Sequence, residues 1–96
     1  MISEDPRLCS AYAFHYVRGV QQRRRVMACV KHLAFNNQEF NRTLTSAQVD
    51  DITAHEIYYR PFRAAVEAGV ATVEFDSFCF CPLIWAFCVC LFLNSL

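Results

Sequence analysis

The chain lacks net charge: nine Lys and Arg offset nine Asp and Glu. With no basic or acidic excess, no nucleic-acid partner and no anionic surface is implied. Basic residues gather only once, in Arg23-Arg24-Arg25. A nuclear or nucleic-acid signal needs more basic neighbours, so the triplet reads as a solvated turn between a helix and a strand. Met1-Ile2-Ser3-Glu4-Asp5 lacks the basic start and apolar run of a secretory signal. Length is short as well, since 96 residues hold at most one small domain. The Cys-x2-Cys spacing of a zinc ribbon is absent. Four of the six Cys fall in Cys79-Phe80-Cys81 and Cys88-Val89-Cys90, beside Phe, Leu and Trp instead of turn residues, which favours an apolar tail over a metal site. Disulfides would require an oxidising compartment.

What is present reads as alternating helices and strands. Asp5-Pro6 offers an N-cap followed by proline at the first helical position. Leu8, Tyr12, Tyr16 and Val20 recur every fourth residue, flanked by Cys9, Ala13 and Val17, which predicts a helix over residues 6–21 with one wide apolar face. Residues 26–31 are apolar and short, as parallel strands are. Residues 35–51 read as a long polar loop, and a loop of that length after a strand favours function. Thr53-Ala54-His55-Glu56 has the capping-box pattern and predicts a helix reaching Ala68. Its inner face is Ile57, Tyr58, Phe62, Ala65 and Val66, Pro61 predicts a kink near Ile57 and Tyr58, and Gly69 caps its end. Residues 70–75 read as the next strand. Helix, strand, loop, helix, strand is an α/β pattern.

The densest chemistry lies in KHLAFNNQEFNR, residues 31–42. A cation, an imidazole, amides, a carboxylate and a guanidinium follow directly on a buried strand. Lys and Arg donate hydrogen bonds, Asn and Gln donate and accept, and His does either. Such a set suits a ligand rich in hydroxyl groups at the mouth of a sheet. Taken singly, Lys31 is better explained as a strand-end surface cation, and His32 as a hydrogen-bonded core imidazole.

The same run resembles glycoside hydrolase family 3, the β-glucosidase and β-xylosidase type, whose strand ends in Lys-His and continues into an Asn-x-Gln-Glu-x-x-Arg-like loop. The resemblance takes in Ser3-Glu4-Asp5-Pro6 and Tyr16-Val17-Arg18-Gly19-Val20-Gln21 upstream, and Glu56-Ile57-Tyr58 and Pro61-Phe62-Arg63-Ala64-Ala65-Val66-Glu67-Ala68-Gly69-Val70-Ala71-Thr72-Val73 downstream. It covers about residues 2–73. It implies an α/β fold that is a partial (β/α)8-barrel fragment of about two βα units with an apolar C-terminal tail, since a closed barrel takes about 250 residues. Residues 1–75 are then a fragment of the family's N-terminal barrel domain, and 76–96 a Cys- and Phe-rich tail unrelated to its pattern.

By that resemblance Lys31, His32 and Arg42, eleven residues beyond Lys31, bind hydroxyls of the sugar next to the scissile bond. Glu39 supports them by orienting Arg42 or Lys31. Asn36 and Asn37 shape the loop. The implied partner is a carbohydrate, a β-glucoside or β-xyloside, with no cofactor and no metal. A retaining glycosidase needs two carboxyl groups about 5 Å apart. The family's nucleophile is an Asp in a Ser-Asp-Trp-like stretch of a later strand, and its acid/base lies further downstream. Neither stretch occurs in these residues, so the chain alone is expected to be inactive and no catalytic residue is assigned. Asp76 sits at a strand end but outside the family pattern, and His15 and His55 read as helix-surface residues. The family is often secreted.

At Glu74 the resemblance stops. The family continues into a Met-Cys-Ser-Tyr-Asn-like stretch, whereas this chain reads Glu74-Phe75-Asp76-Ser77-Phe78, with Ser77 where a substrate-contacting Tyr belongs. Residues 78–93 carry no charge and are interrupted by Pro82. They read as translated non-coding sequence after a lost splice site, as a marginal membrane anchor shorter than the roughly 20 residues of a spanning helix, or as a buried segment. The anchor reading gives the alternative function, a non-catalytic membrane-associated remnant.

Overall fold

A computed structural model describes residues 2–42 and 44–75. Helix α1 (Pro6–Gln21) leads to strand β1 (Cys29–Leu33). A long irregular segment then reaches α2 (Asp51–Thr53), which continues through a π-helical turn (Ala54–Tyr58) into α3 (Tyr59–Glu67). Strand β2 (Thr72–Phe75) returns parallel to β1. The described residues are thus a mixed α/β unit: two parallel strands joined through a helix, with α1 packed on α3.

Local chemistry sets the start of α1 where the sequence predicts it. The Asp5 carboxylate accepts from the amides of Arg7 at 2.7 Å and Leu8 at 3.3 Å, while Pro6 needs no partner for an amide it lacks. The buried face is only one flank of the wide face expected. Val17 is fully buried and Ala13 and Val20 lie beside it, whereas Leu8, Tyr12 and Tyr16 are exposed. The reason is the partner. The opposing surface is lined by Ala65 and Ala68 of the α3 end, and small side chains there admit the narrow Ala13–Val17–Val20 ridge at close range.

The second helix also corrects the sequence reading. Its cap is Asp50, not Thr53: Asp50 accepts from the Thr53 amide at 2.9 Å, so the helix begins at Asp51, and Thr53 makes no side-chain cap. That amide holds the exposed Asp50 carboxyl below the usual carboxylate range, reinforced by a side-chain bond from Thr53. The kink expected ahead of Pro61 is a π turn, in which the Tyr59 amide reaches the Ala54 carbonyl. One inserted residue rotates the remainder of the helix by about 100° on a 3.6-residue repeat. Tyr59 consequently turns inward and Ile57 outward, while Tyr58, Phe62 and Ala65 stay on the inner side as predicted.

Strand β1 lies two to three residues later than the apolar run suggests. Val26 and Met27 are exposed, and pairing begins at Cys29. Strand β2 likewise begins at Thr72 and not at residue 70. A single side chain holds the start of each strand. Gln21, the last residue of α1, accepts with Oε1 from the amides of Ala28 and Ala71, each at 3.0 Å, and donates through Nε2 to the Gly69 carbonyl at 2.7 Å. Gly69 ends the helical segment at φ +81°, a left-handed conformation that favours glycine.

The core has two centres. Val17, Ala28 and Ala65 fill the end of the sheet near the Gln21 clamp. Leu33, Ala34, Phe35, Ala54 and Tyr59 fill the other end, with Val49, Tyr58, Phe62 and Val73 against them. Among the described residues no helix is long and apolar enough to cross a membrane. Asp76, Ser77, the two Cys-x-Cys pairs and residues 78–93, with the anchor and buried-segment readings made for them, lie outside the described residues.

Candidate functional site

The polar run starts inside β1 and not after it. Lys31 and His32 are strand residues, and the buried Leu33 follows them. The peptide bonds Lys31–His32 and Leu33–Ala34 are cis. Pairing is regular up to Val30 with Val73 and resumes at Leu33 with Phe75. Two residues of β1, Lys31 and His32, therefore stand opposite one residue of β2, Glu74. A bulge of this kind re-aims side chains that regular pleating would send to opposite faces.

Both side chains accordingly reach one carboxylate. Lys31 Nζ lies 3.6 Å from Glu74 Oε2, and His32 Nε2 lies 3.6 Å from Glu74 Oε1. Lys31 and Glu74 are about half exposed and His32 somewhat less, so the group opens to solvent at the C-terminal end of two parallel strands. Open α/β sheets offer ligand sites at that end.

Arg42 is held by a different carboxylate. Its Nη1 donates to Glu39 Oε2 at 3.1 Å and Oε1 at 3.2 Å, and Asn36 Nδ2 donates to the same Oε1 at 3.2 Å. Glu39 thus ties together both ends of a seven-residue stretch that carries Arg42 at its close. The root of this loop is fixed by the core. Phe35 is buried, edge-on to Tyr58 at 5.3 Å between ring centroids and tilted against Tyr59 at 5.4 Å. Asn37 Nδ2 donates to the Tyr58 hydroxyl at 3.0 Å. The loop therefore leaves β1 from an anchored base, and its outer half projects Glu39, Phe40 and Arg42 into solvent.

The structure brings Lys31 and His32 together and gives Arg42 its own bracing. It adds two groups to which the sequence reading assigns no role in the site, Glu74 and Tyr58. Nothing local marks Glu74, whose role depends on a strand partner more than forty positions away and on a register shift. His15 and His55 are exposed on their helices.

No family model matches the chain, and no solved structure does. Among curated proteins it is similar to Beta-glucosidase BoGH3A of Bacteroides ovatus, 47% identical over 70 residues, which is 73% of this chain and 9% of the relative. It is 44% identical over 71 residues to Probable beta-glucosidase L of Emericella nidulans, covering 74% of this chain and 10% of that protein. It is 46% identical over 72 residues to a Beta-glucosidase of Rhizobium radiobacter, covering 74% and 9%. The chain spans about a tenth of the length of the curated relatives it matches. The Lys31–Arg42 run and these relatives agree, and the chain belongs to glycoside hydrolase family 3 as a sequence of fragment length.

Proposed function

We propose that the described residues form the sugar-gripping corner of a β-glucosidase-type active site, part of a (β/α)8 barrel, with Lys31, His32 and Arg42 as the binding groups. The observation that carries this reading is the convergence of Lys31 and His32 on one side of the strand end. Lys31 presents a charge-assisted donor to a sugar oxygen, His32 donates or accepts, and Arg42 supplies a fork of donors. Glu39 braces that fork through both carboxylate oxygens. Contacts of this type strengthen as charge develops on the ring, so in an intact hydrolase they contribute to rate as well as to binding.

The 96 residues contain no Ser-Asp-Trp-like stretch to supply a nucleophile, so the chain by itself binds a β-glucoside weakly and does not cleave it. The purified chain titrated with methyl β-glucoside tests the binding half: shifts of the Lys31 and His32 resonances are expected, and their loss in Lys31→Ala. An aryl β-glucoside tests the other half: no turnover is expected, and turnover abolished by Lys31→Ala would overturn the inactivity. Fractionation of cells expressing a tagged chain separates this reading from a membrane-associated remnant held by residues 78–93.

A further inference from the structure

The register shift in the sheet assembles more than two donors. Glu74 lies opposite Lys31 and His32, and each of its oxygens faces one of them at 3.6 Å. That separation is an ion pair but exceeds the roughly 2.7–3.2 Å of a direct N–H···O hydrogen bond. Neither donor is therefore spent on the carboxylate, and the carboxylate lone pairs are not spent on the donors. All three side chains open to solvent, at 54% for Lys31, 38% for His32 and 51% for Glu74.

We propose that Glu74 is a specificity-determining residue of this site: it accepts a hydrogen bond from a hydroxyl of the bound sugar and selects neutral sugars over sugar carboxylates. The inference rests on the sugar-binding reading above. The chemistry is one of matching. A lysine ammonium only donates, and an ionised carboxylate only accepts. A pair of neighbouring sugar hydroxyls does both, so one hydroxyl donates to Glu74 while the oxygen of the next accepts from Lys31 or His32. A uronate carboxylate has no proton to give Glu74 and brings a like charge against it. Lys31 and Glu74 together leave the mouth of the strand pair without net charge. Removal of the Glu74 charge leaves a cationic mouth that suits a carboxylate instead.

The test uses the full chain, isotope-labelled, titrated separately with methyl β-glucoside and with methyl β-glucuronide at low ionic strength. The unmodified chain is expected to bind the glucoside more tightly. Glu74→Gln keeps the shape and removes the charge; it is expected to weaken the glucoside by about tenfold, the order of one charge-assisted hydrogen bond, and to reverse the preference. The amide spectrum of the variant reports whether the fold is kept. Tighter binding of the glucuronide by the unmodified chain overturns the proposal without any variant. Glucoside binding lost in Lys31→Ala but unchanged in Glu74→Gln overturns the role of Glu74 and leaves the sugar-binding reading standing. Failure of the unmodified chain to bind either glycoside overturns both.

Discussion

Gln21→Ala is the substitution whose consequence the structure defines most fully. The Gln21 amide makes three hydrogen bonds to backbone groups of three segments: Ala28 before β1, Gly69 at the end of the helical segment, and Ala71 before β2. Truncation leaves two amides and one carbonyl without their partner. A net hydrogen bond contributes about 0.5–1.5 kcal/mol, and a fully buried orphan costs more. Gln21 is half-buried, so water replaces part of what is lost, and three bonds near the lower end of that range total about 2 kcal/mol. A folded unit of this size is stable by only about 4–11 kcal/mol, so one side chain carries a substantial share. Urea unfolding followed by circular dichroism is the assay. With a slope of about 1 kcal/mol per molar for a small protein, the midpoint falls by about 2 M. Gln22→Ala, one residue on and exposed, changes stability by less than about 0.5 kcal/mol. The clamp also holds the beginnings of both strands level, so Gln21→Ala should broaden the Lys31 and Glu74 resonances as the register loosens. A Gln21→Ala midpoint within error of the Gln22→Ala midpoint would refute the reasoning.

Four further outcomes are expected. Asp5→Ala removes the α1 cap and costs about 1 kcal/mol by thermal or urea unfolding, with Asp5→Asn costing little. Gly69→Ala places a side chain at positive φ and costs about 1–2 kcal/mol, although open space surrounds the site, and Gly69→Asn costs less. Because its partners hold the Asp50 carboxyl below its usual range, that group stabilises the fold above its unfolded-state pKa, and the contribution disappears as pH falls through the lower folded-state value. Asp50→Asn should therefore flatten part of the acid limb of the stability–pH profile. Glu39→Gln should leave stability within about 0.5 kcal/mol, as befits an exposed ion pair, yet weaken glucoside binding measured by titration, since Arg42 then loses its brace.

The parts legible in the sequence are those determined within a few residues. Asp5 and Pro6 announce α1, and the helix runs over residues 6–21 as its spacing predicts. Gly69 stops the helical segment at the expected place. Parts determined by a distant partner were not legible. The Leu8–Tyr12–Tyr16 stripe is as good a helical face as Ala13–Val17–Val20, and only the alanines of the opposing helix decide between them. The strand bounds depend on where Gln21 grips the chain, not on where apolar residues begin. The capping box at Thr53 was outcompeted by Asp50, whose carboxylate already accepts the Thr53 amide. That capture starts the helix three residues early.

The candidate site divides along the same line. Lys31, His32, Glu39 and Arg42 stand out because their types and spacing are local, and the Glu39–Arg42 contact spans only three positions. The feature that turns two adjacent residues into one cluster is non-local. In a regular strand Lys31 and His32 would point to opposite faces. They meet one carboxylate because the pairing offset changes by one residue between Val30 and Leu33. Restoring regular pairing should therefore dismantle the cluster more completely than removing the Glu74 charge. Deleting Lys31 outright shortens β1 by one residue and pairs His32 directly with Glu74, costing the site a donor without removing the imidazole. Glu74→Ala leaves the bulge in place and costs only an exposed ion pair, about 0–1 kcal/mol. If the bulge organises the binding groups, the deletion abolishes glycoside binding, whereas Glu74→Ala retains the paired chemical-shift response of Lys31 and His32 to bound ligand. Glycoside binding that survives the deletion would show that the loop after Leu33, and not the bulged strand, sets the geometry.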